Sequence, residues 1–167
     1  IRGNCSKTKK KRVNIMSYTK IAAIFADSET LSGQTVTVRR GDIRDLSDLA
    51  YFPSLTAVSV QFQSLTSLES LPACGVEVFD VSANRLTSLS GIEQLPKLTA
   101  LTADGNAVTD LTGLGRCLNV RKLSLNGANV SDLSELRALT KLQDVTLSHC
   151  TRRELLIPLH KSSLTRV

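Results

Sequence analysis

Apolar residues recur along this chain at places 1, 4, 6, 11, 14, 17 and 20 of a 22-residue period. Three repeats carry the pattern in full: Val76, Phe79, Val81, Leu86, Leu89, Ile92 and Leu95; Leu98, Leu101, Ala103, Val108, Leu111, Leu114 and Cys117; and Val120, Leu123, Leu125, Val130, Leu133, Leu136 and Leu139. Leu55, Val58, Val60, Leu65, Leu68, Leu71 and Cys74 fit an earlier repeat one residue short, and Val36, Val38, Ile43, Leu46, Leu49 and Phe52 fit a degenerate one starting at Gly33. After Leu142, Val145 and Leu147 the pattern decays, with Arg152 at place 11 and Pro158 at place 17. A unit this short cannot bury its apolar face alone, so successive units must stack.

Two spacings inside each repeat predict two kinds of backbone. Places 4 and 6 alternate with polar or small neighbours, the period of a half-buried strand. Places 11, 14, 17 and 20 step by three, which suits a 3-10 or short helical return better than a long α-helix. Strand and return close one coil, and like strands of successive coils pair in parallel. The expected architecture is an α/β solenoid with a curved parallel sheet on its concave side.

These units resemble the short 22-residue class of intracellular leucine-rich repeats, similar to those of protein phosphatase regulatory subunits, outer-arm dynein light chain and the spliceosomal A-prime subunit. The resemblance covers Gly33 to Val167 and implies a leucine-rich repeat solenoid, while implying nothing about activity. Segment Leu147 to Thr151, reading LSHCT, also resembles the cysteine-type repeats of long trypanosome leucine-rich repeat proteins. In this class an asparagine at place 9 satisfies backbone groups of the turn with its amide. Asn84 and Asn106 fit, whereas Gly41, Gln63, Ala128 and Cys150 do not. The ladder is therefore expected to be incomplete at both ends.

The period divides the chain into a basic tail over 1–15, a segment over 16–32 and the repeat domain over 33–167. Composition suits a single globular core, with 41% hydrophobic and 22% charged residues. The net charge of +6 is unevenly spread. The first twenty residues hold seven cations and no acid, leaving 14 basic against 15 acidic side chains in the remainder. So many cations without an acid cannot pack, and the tail is expected to be disordered. Three readings of it stay open: Lys9, Lys10, Lys11 and Arg12 as a nuclear localisation signal, a plain charged terminus, or sequence upstream of a native start at Met16, the only methionine. Tyr18, Ile21, Ala22 and Phe25 share one helical face behind Ser17 as N-cap, which predicts a helical cap over the open end of the solenoid.

Cys74 and Cys117 share place 20 two repeats apart, about 9.6 Å by strand spacing, beyond the roughly 7 Å that a disulfide allows. No apolar run is long enough to span a bilayer, and the expected setting is intracellular, cytoplasmic or nuclear. There the triplets Asn4-Cys5-Ser6 and Asn129-Val130-Ser131 are chance matches to the glycosylation pattern. His149 beside Cys150 does not make a nucleophile and base, because adjacent strand residues face opposite sides. The sequence also lacks a phosphate-cradling glycine loop and a CxxC or HExxH motif. No enzymatic role, metal, cofactor or small-molecule substrate is expected.

The concave face carries what remains. Place 5 reads Thr37, Ser59, Asp80, Thr102, Ser124 and Thr146; place 7 reads Arg39, Gln61, Ser82, Asp104, Asn126 and Ser148; place 8 reads Arg40, Phe62, Ala83, Gly105, Gly127 and His149. Small residues let a partner approach, Asp80 and Asp104 give an acidic centre, and Arg39 with Arg40 a basic end. The expected partner-binding residues are Arg39, Arg40, Phe62, Asp80, Asp104, Lys122 and His149. As surface positions, Asp80 and Asp104 are expected to tolerate charge reversal without loss of stability. The functional expectation is an adaptor or regulatory subunit holding a helix or loop of another protein. The alternative is a ribonucleoprotein subunit whose tail residues Lys9, Lys10, Lys11 and Arg12 touch RNA. Leu164 opens a further unit with Val167 at its place 4, so the repeat is expected to continue beyond this sequence or to be completed by a partner.

Overall fold

The computed structural model describes residues 35–38 and 43–147. The tail, the expected cap over 16–32 and the decaying end of the last repeat lie outside the described residues. Six short strands follow the period: β1 (Thr35–Val38), β2 (Ala57–Val60), β3 (Val78–Asp80), β4 (Ala100–Thr102), β5 (Lys122–Ser124) and β6 (Asp144–Thr146). They pair in parallel, in chain order, in one open sheet. Parallel neighbours need a long crossover, and each coil supplies it. The register advances by one repeat per strand, so Val36, Val58, Phe79, Leu101, Leu123 and Val145 stand side by side at place 4.

All seven apolar places of the three full repeats are buried, as are those of the flanking repeats except the partly buried Phe52, Cys74 and Leu147. Each such leucine or valine contributes roughly 1.5–3 kcal/mol of burial. Four of the returns contain a 3-10 helix, over Ser47–Tyr51, Ile92–Gln94, Leu114–Arg116 and Ser134–Ala138. Their length follows place 16. Gly91 and Gly113 adopt left-handed backbone there, and the helix begins after them with three residues. Asp48 and Glu135 occupy the same place inside five-residue helices. The return through Leu71 is a turn instead, closed by the Leu71 N–H donating to the Leu68 carbonyl at 2.9 Å.

Two rows of polar side chains order the backbone, the first between coils and the second within each return. Asn84 Oδ1 accepts the Leu65 N–H at 3.1 Å, and its amide donates to the Val60 and Val81 carbonyls, both at 2.8 Å. Asn106 repeats the arrangement with the Leu86 N–H and the Val81 and Ala103 carbonyls, all at 3.0 Å. Gln63 corrects the expectation of a lapse at the N-terminal end. It is buried, accepts the Ile43 N–H at 3.3 Å and donates to the Gln61 carbonyl at 2.7 Å. One extra methylene still lets the amide reach the preceding coil. Ala128 carries no amide and ends the row, while Gly41 and Cys150 lie outside the described residues.

The second row, at place 13, does not show in the apolar pattern. Asp45, Ser67, Ser88, Asp110 and Asp132 each accept the N–H two residues on, from Ser47, Glu69, Ser90, Thr112 and Ser134, at 2.7–3.1 Å. Such side-chain turns redirect the backbone, and here they open the five returns among the described residues. The row is legible in the sequence as Asp or Ser at one place in each of these five repeats.

Candidate functional site

Places 3 and 5 flank the buried place 4 on each strand and therefore point away from the core. At place 3 the sheet presents Thr35, Ala57, Val78, Ala100, Lys122 and Asp144; at place 5, Thr37, Ser59, Asp80, Thr102, Ser124 and Thr146. Val78 is an exposed apolar residue on this face that the earlier selection missed. Its signal was its place, since place 3 is a solvent position whatever residue fills it. The Ser59 hydroxyl oxygen is buried without a hydrogen-bond partner, the one such side chain among the described residues.

Place 8 is left-handed in four successive repeats, with φ of 55° at Phe62, 54° at Ala83, 65° at Gly105 and 86° at Gly127. A Cβ on Gly105 or Gly127 would meet its nearest neighbours at 3.6 and 3.7 Å, ordinary contact distances. Backbone conformation, not crowding by the neighbouring coil, therefore accounts for the glycines at this place. Phe62 breaks the row. It stands 68% exposed in a region that costs an L-residue about 1–2 kcal/mol. Its N–H donates to the Ser82 carbonyl at 3.1 Å, just as those of Ala83 and Gly105 donate to Asp104 and Asn126 at 2.7 Å. The coil closes there with or without an aromatic ring.

Asp80 and Asp104 lie on the same face, each in a cage of donors. Asp80 Oδ1 accepts the Ser82 N–H at 3.0 Å and the Ser82 hydroxyl at 2.6 Å, and Oδ2 accepts the Gln61 amide from the preceding repeat. Asp104 Oδ1 accepts the Ser124 hydroxyl at 2.7 Å and the Asn126 N–H at 2.8 Å, and Oδ2 the Asn126 amide at 3.1 Å, all from the next repeat. The expectation that reversing these charges would leave stability untouched is corrected: lysine at either position would remove hydrogen bonds between coils. Lysine at Asp132 would remove a local bond instead, since that carboxylate caps its own return.

Lys122 is paired across the strands with Asp144 at 3.7 Å. The pair is largely exposed, and such pairs contribute little. Arg39, Arg40 and His149, and likewise Lys9, Lys10, Lys11 and Arg12, lie outside the described residues. The register places Asp80 and Lys122 on the same side of the sheet, and Asp104 bonds to Ser124 on that side, while Phe62 stands exposed just past the end of β2. A cavity of about 510 Å³ lies at the returns instead, lined by Glu93, Thr112, Gly113, Arg116, Ser134 and Glu135. Its two carboxylates are engaged by backbone, Glu93 accepting the Gly91 N–H at 2.9 Å and Glu135 the Gly115 N–H at 2.8 Å.

Cys74 and Cys117 are free thiols. Burial, with Glu93 adding to it, pushes the Cys117 thiol up to about 11, and its S–H donates to the Ile92 carbonyl at 3.4 Å. Burial raises Cys74 as well. Neither is a thiolate at neutral pH. Among the described residues no cluster of His, Cys, Asp or Glu could hold a metal ion, and no helix is long and apolar enough to cross a membrane.

No protein-family model matches the sequence, and no curated protein matches it. Solved structures do. An internalin (inlF) of Listeria monocytogenes superposes with a TM-score of 0.64 at 22% identity, over 79% of this chain and 40% of its own. Internalin C2 of the same organism gives 0.61 at 27% identity, over 69% of this chain and 51% of its own. A leucine-rich repeat protein of Leptospira interrogans gives 0.62 at 19% identity, over 78% and 36%. The chain therefore spans between 36% and 51% of the length of these solved proteins. They share one architecture with the stacked coils described above, and this chain has the leucine-rich repeat fold.

Proposed function

We propose that this chain is a protein-interaction module, an adaptor or regulatory subunit, whose partner lays a helix or loop on the solvent face of the sheet. Phe62 carries the reading. An aromatic held 68% exposed on strained backbone, where the neighbouring repeats use Ala83, Gly105 and Gly127, contributes nothing to the core. Aromatic anchors surrounded by polar residues dominate the energetics of protein interfaces. Solenoids offer such surfaces continuously across coils, and six strands about 4.8 Å apart make a floor roughly 24 Å wide, room for about four turns of helix. Arg39 and Arg40 at the β1 end and His149 at the β6 end belong to the same reading by their places. An intracellular setting goes with it, since the free Cys74 and Cys117 suit a reducing compartment.

Affinity capture with the whole chain, followed by mass spectrometry, would supply the partner. Titration of that partner against Phe62→Ala should then show a loss of tenfold or more with an unchanged melting curve. Affinity indifferent to Phe62→Ala would move the interface elsewhere. Capture of RNA that is released by salt, and lost on deletion of residues 1–15, would replace this reading with the ribonucleoprotein one.

A further inference from the structure

We infer that the segment docking on the Phe62 and Val78 face presents lysine, not arginine, to Asp80 and Asp104 beside its apolar anchor. This rests on the interface reading above and specifies the chemistry of its partner. Val78, two residues before Asp80 on the same strand, is 46% exposed, and Phe62, 68% exposed past the end of the neighbouring strand, is the anchor taken from the reading above; the two carboxylates make the surface between them negative. Among the described residues neither Asp80 nor Asp104 has an ion pair, and the nearby cation Lys122 is already matched by Asp144. An apolar segment carrying positive charge is the complement of such a face.

The hydrogen bonds decide which cation. A carboxylate offers about four acceptor sites, two on each oxygen. On both residues Oδ1 accepts two donors and Oδ2 accepts one. Each carboxylate keeps a single open site, on Oδ2. A guanidinium binds best as a fork, with one N–H to each oxygen, and the filled Oδ1 prevents that. An ammonium is a compact charge with three rotatable donors and needs only one site. Asp80 and Asp104 are one strand and two places apart, about 8 Å between Cα atoms by strand geometry. Two lysines one helical turn apart, with Cβ atoms about 5–6 Å from each other, reach both through their flexible stems.

The test is selection of a phage-displayed random peptide library on the whole chain. Recovered peptides should carry lysine over arginine by threefold or more, next to an aromatic or aliphatic residue. A synthetic copy of one should lose tenfold or more in affinity on Phe62→Ala and on Asp80→Asn with Asp104→Asn, and threefold or more when its lysines become arginines. Asparagine keeps an acceptor, and flipping the Gln61 and Asn126 amides restores the bonds, so a melting curve serves as control. Should the double variant unfold, the lysine-to-arginine exchange in the peptide answers the same question on the parent protein. Peptides lost on Phe62→Ala but rich in arginine, or lacking cations, overturn the lysine preference and leave the docking face standing. Recovery of no peptide, or of peptides indifferent to Phe62→Ala, overturns both.

Discussion

The side-chain oxygen of Asn84 accepts the N–H of Leu65 from the preceding repeat at 3.1 Å while the same amide donates to the Val60 and Val81 carbonyls. With a longer bond to the Ser82 carbonyl at 3.2 Å, one buried residue thereby engages four backbone groups in two coils. Asn84→Ala strips those groups of their partner and is expected to cost about 3 kcal/mol. The reverse change at the same place of a later repeat, Ala128→Asn, should add about 1 kcal/mol. Urea midpoints measure both. An unshifted midpoint for Asn84→Ala would remove the ladder from the account of stability.

How much of this was legible follows from what each residue contributes. Phe79, Leu101 and Leu123 announce the sheet because a buried place must be apolar in every coil, and a repeated requirement leaves a period. Gln63 misled because a motif compares side-chain names, whereas the coil needs only an amide within reach. Asp110 and its equivalents were visible as residues but not as caps, since a turn stabilised by one side chain has no hydrophobic signature. The left-handed backbone at Phe62 was only hinted at by Gly105 and Gly127, because Ala83 and Phe62 hid the rule. Asp80 and Asp104 were found by charge, yet their donors come from Gln61, Ser124 and Asn126 in neighbouring coils or from the turn at Ser82, contacts that only the register reveals.

Gly91 is expected to be the least replaceable glycine of the returns. At φ 102° an added Cβ would run into the backbone carbonyl of Leu68, which cannot move without shifting the preceding coil. At Gly113, with φ 92°, the obstacle is the carboxylate end of Glu93, which can swing away at the cost of its bond from the Gly91 N–H. Gly91→Ala should therefore cost about 3 kcal/mol or more, and Gly113→Ala about 1–2 kcal/mol. Melting temperatures of the two variants, compared side by side, test the order. Equal losses would mean that the left-handed conformation alone, and not the neighbouring coil, sets the penalty.

The place 13 carboxylates make stability depend on acid. The Ser47 N–H foremost for Asp45, the Thr112 hydroxyl foremost for Asp110 and the Ser134 N–H foremost for Asp132 hold these groups below the ordinary aspartate range. With a depressed folded value, the unfolded chain takes up protons first as the pH falls. The contribution is full above the unfolded value of about 3.9 and is lost as pH falls through the folded values. The groups are exposed, so the effect is small. The urea midpoint of the parent should fall more steeply between about pH 5 and pH 2.5 than that of the triple variant Asp45→Asn, Asp110→Asn, Asp132→Asn, whose amides still cap the turns. Parallel curves would show that these carboxylates carry no linkage.

Phe62 should separate folding from binding. Glycine at this position relieves about 1–2 kcal/mol of left-handed strain, offset by roughly 0.4–1 kcal/mol of added freedom in the unfolded chain. The ring is 68% exposed and its N–H bond to Ser82 is made by backbone, so little else is lost. Phe62→Gly is expected to raise the urea midpoint by the equivalent of about 0.5–1 kcal/mol while weakening the captured partner tenfold or more. Phe62→Ala keeps the strain, and should weaken the partner without the rise. A residue retained for the fold would do the opposite, losing stability on truncation. If Phe62→Gly lowered the midpoint, the ring would be packing against the protein itself, and its role as the anchor of an interface would be withdrawn.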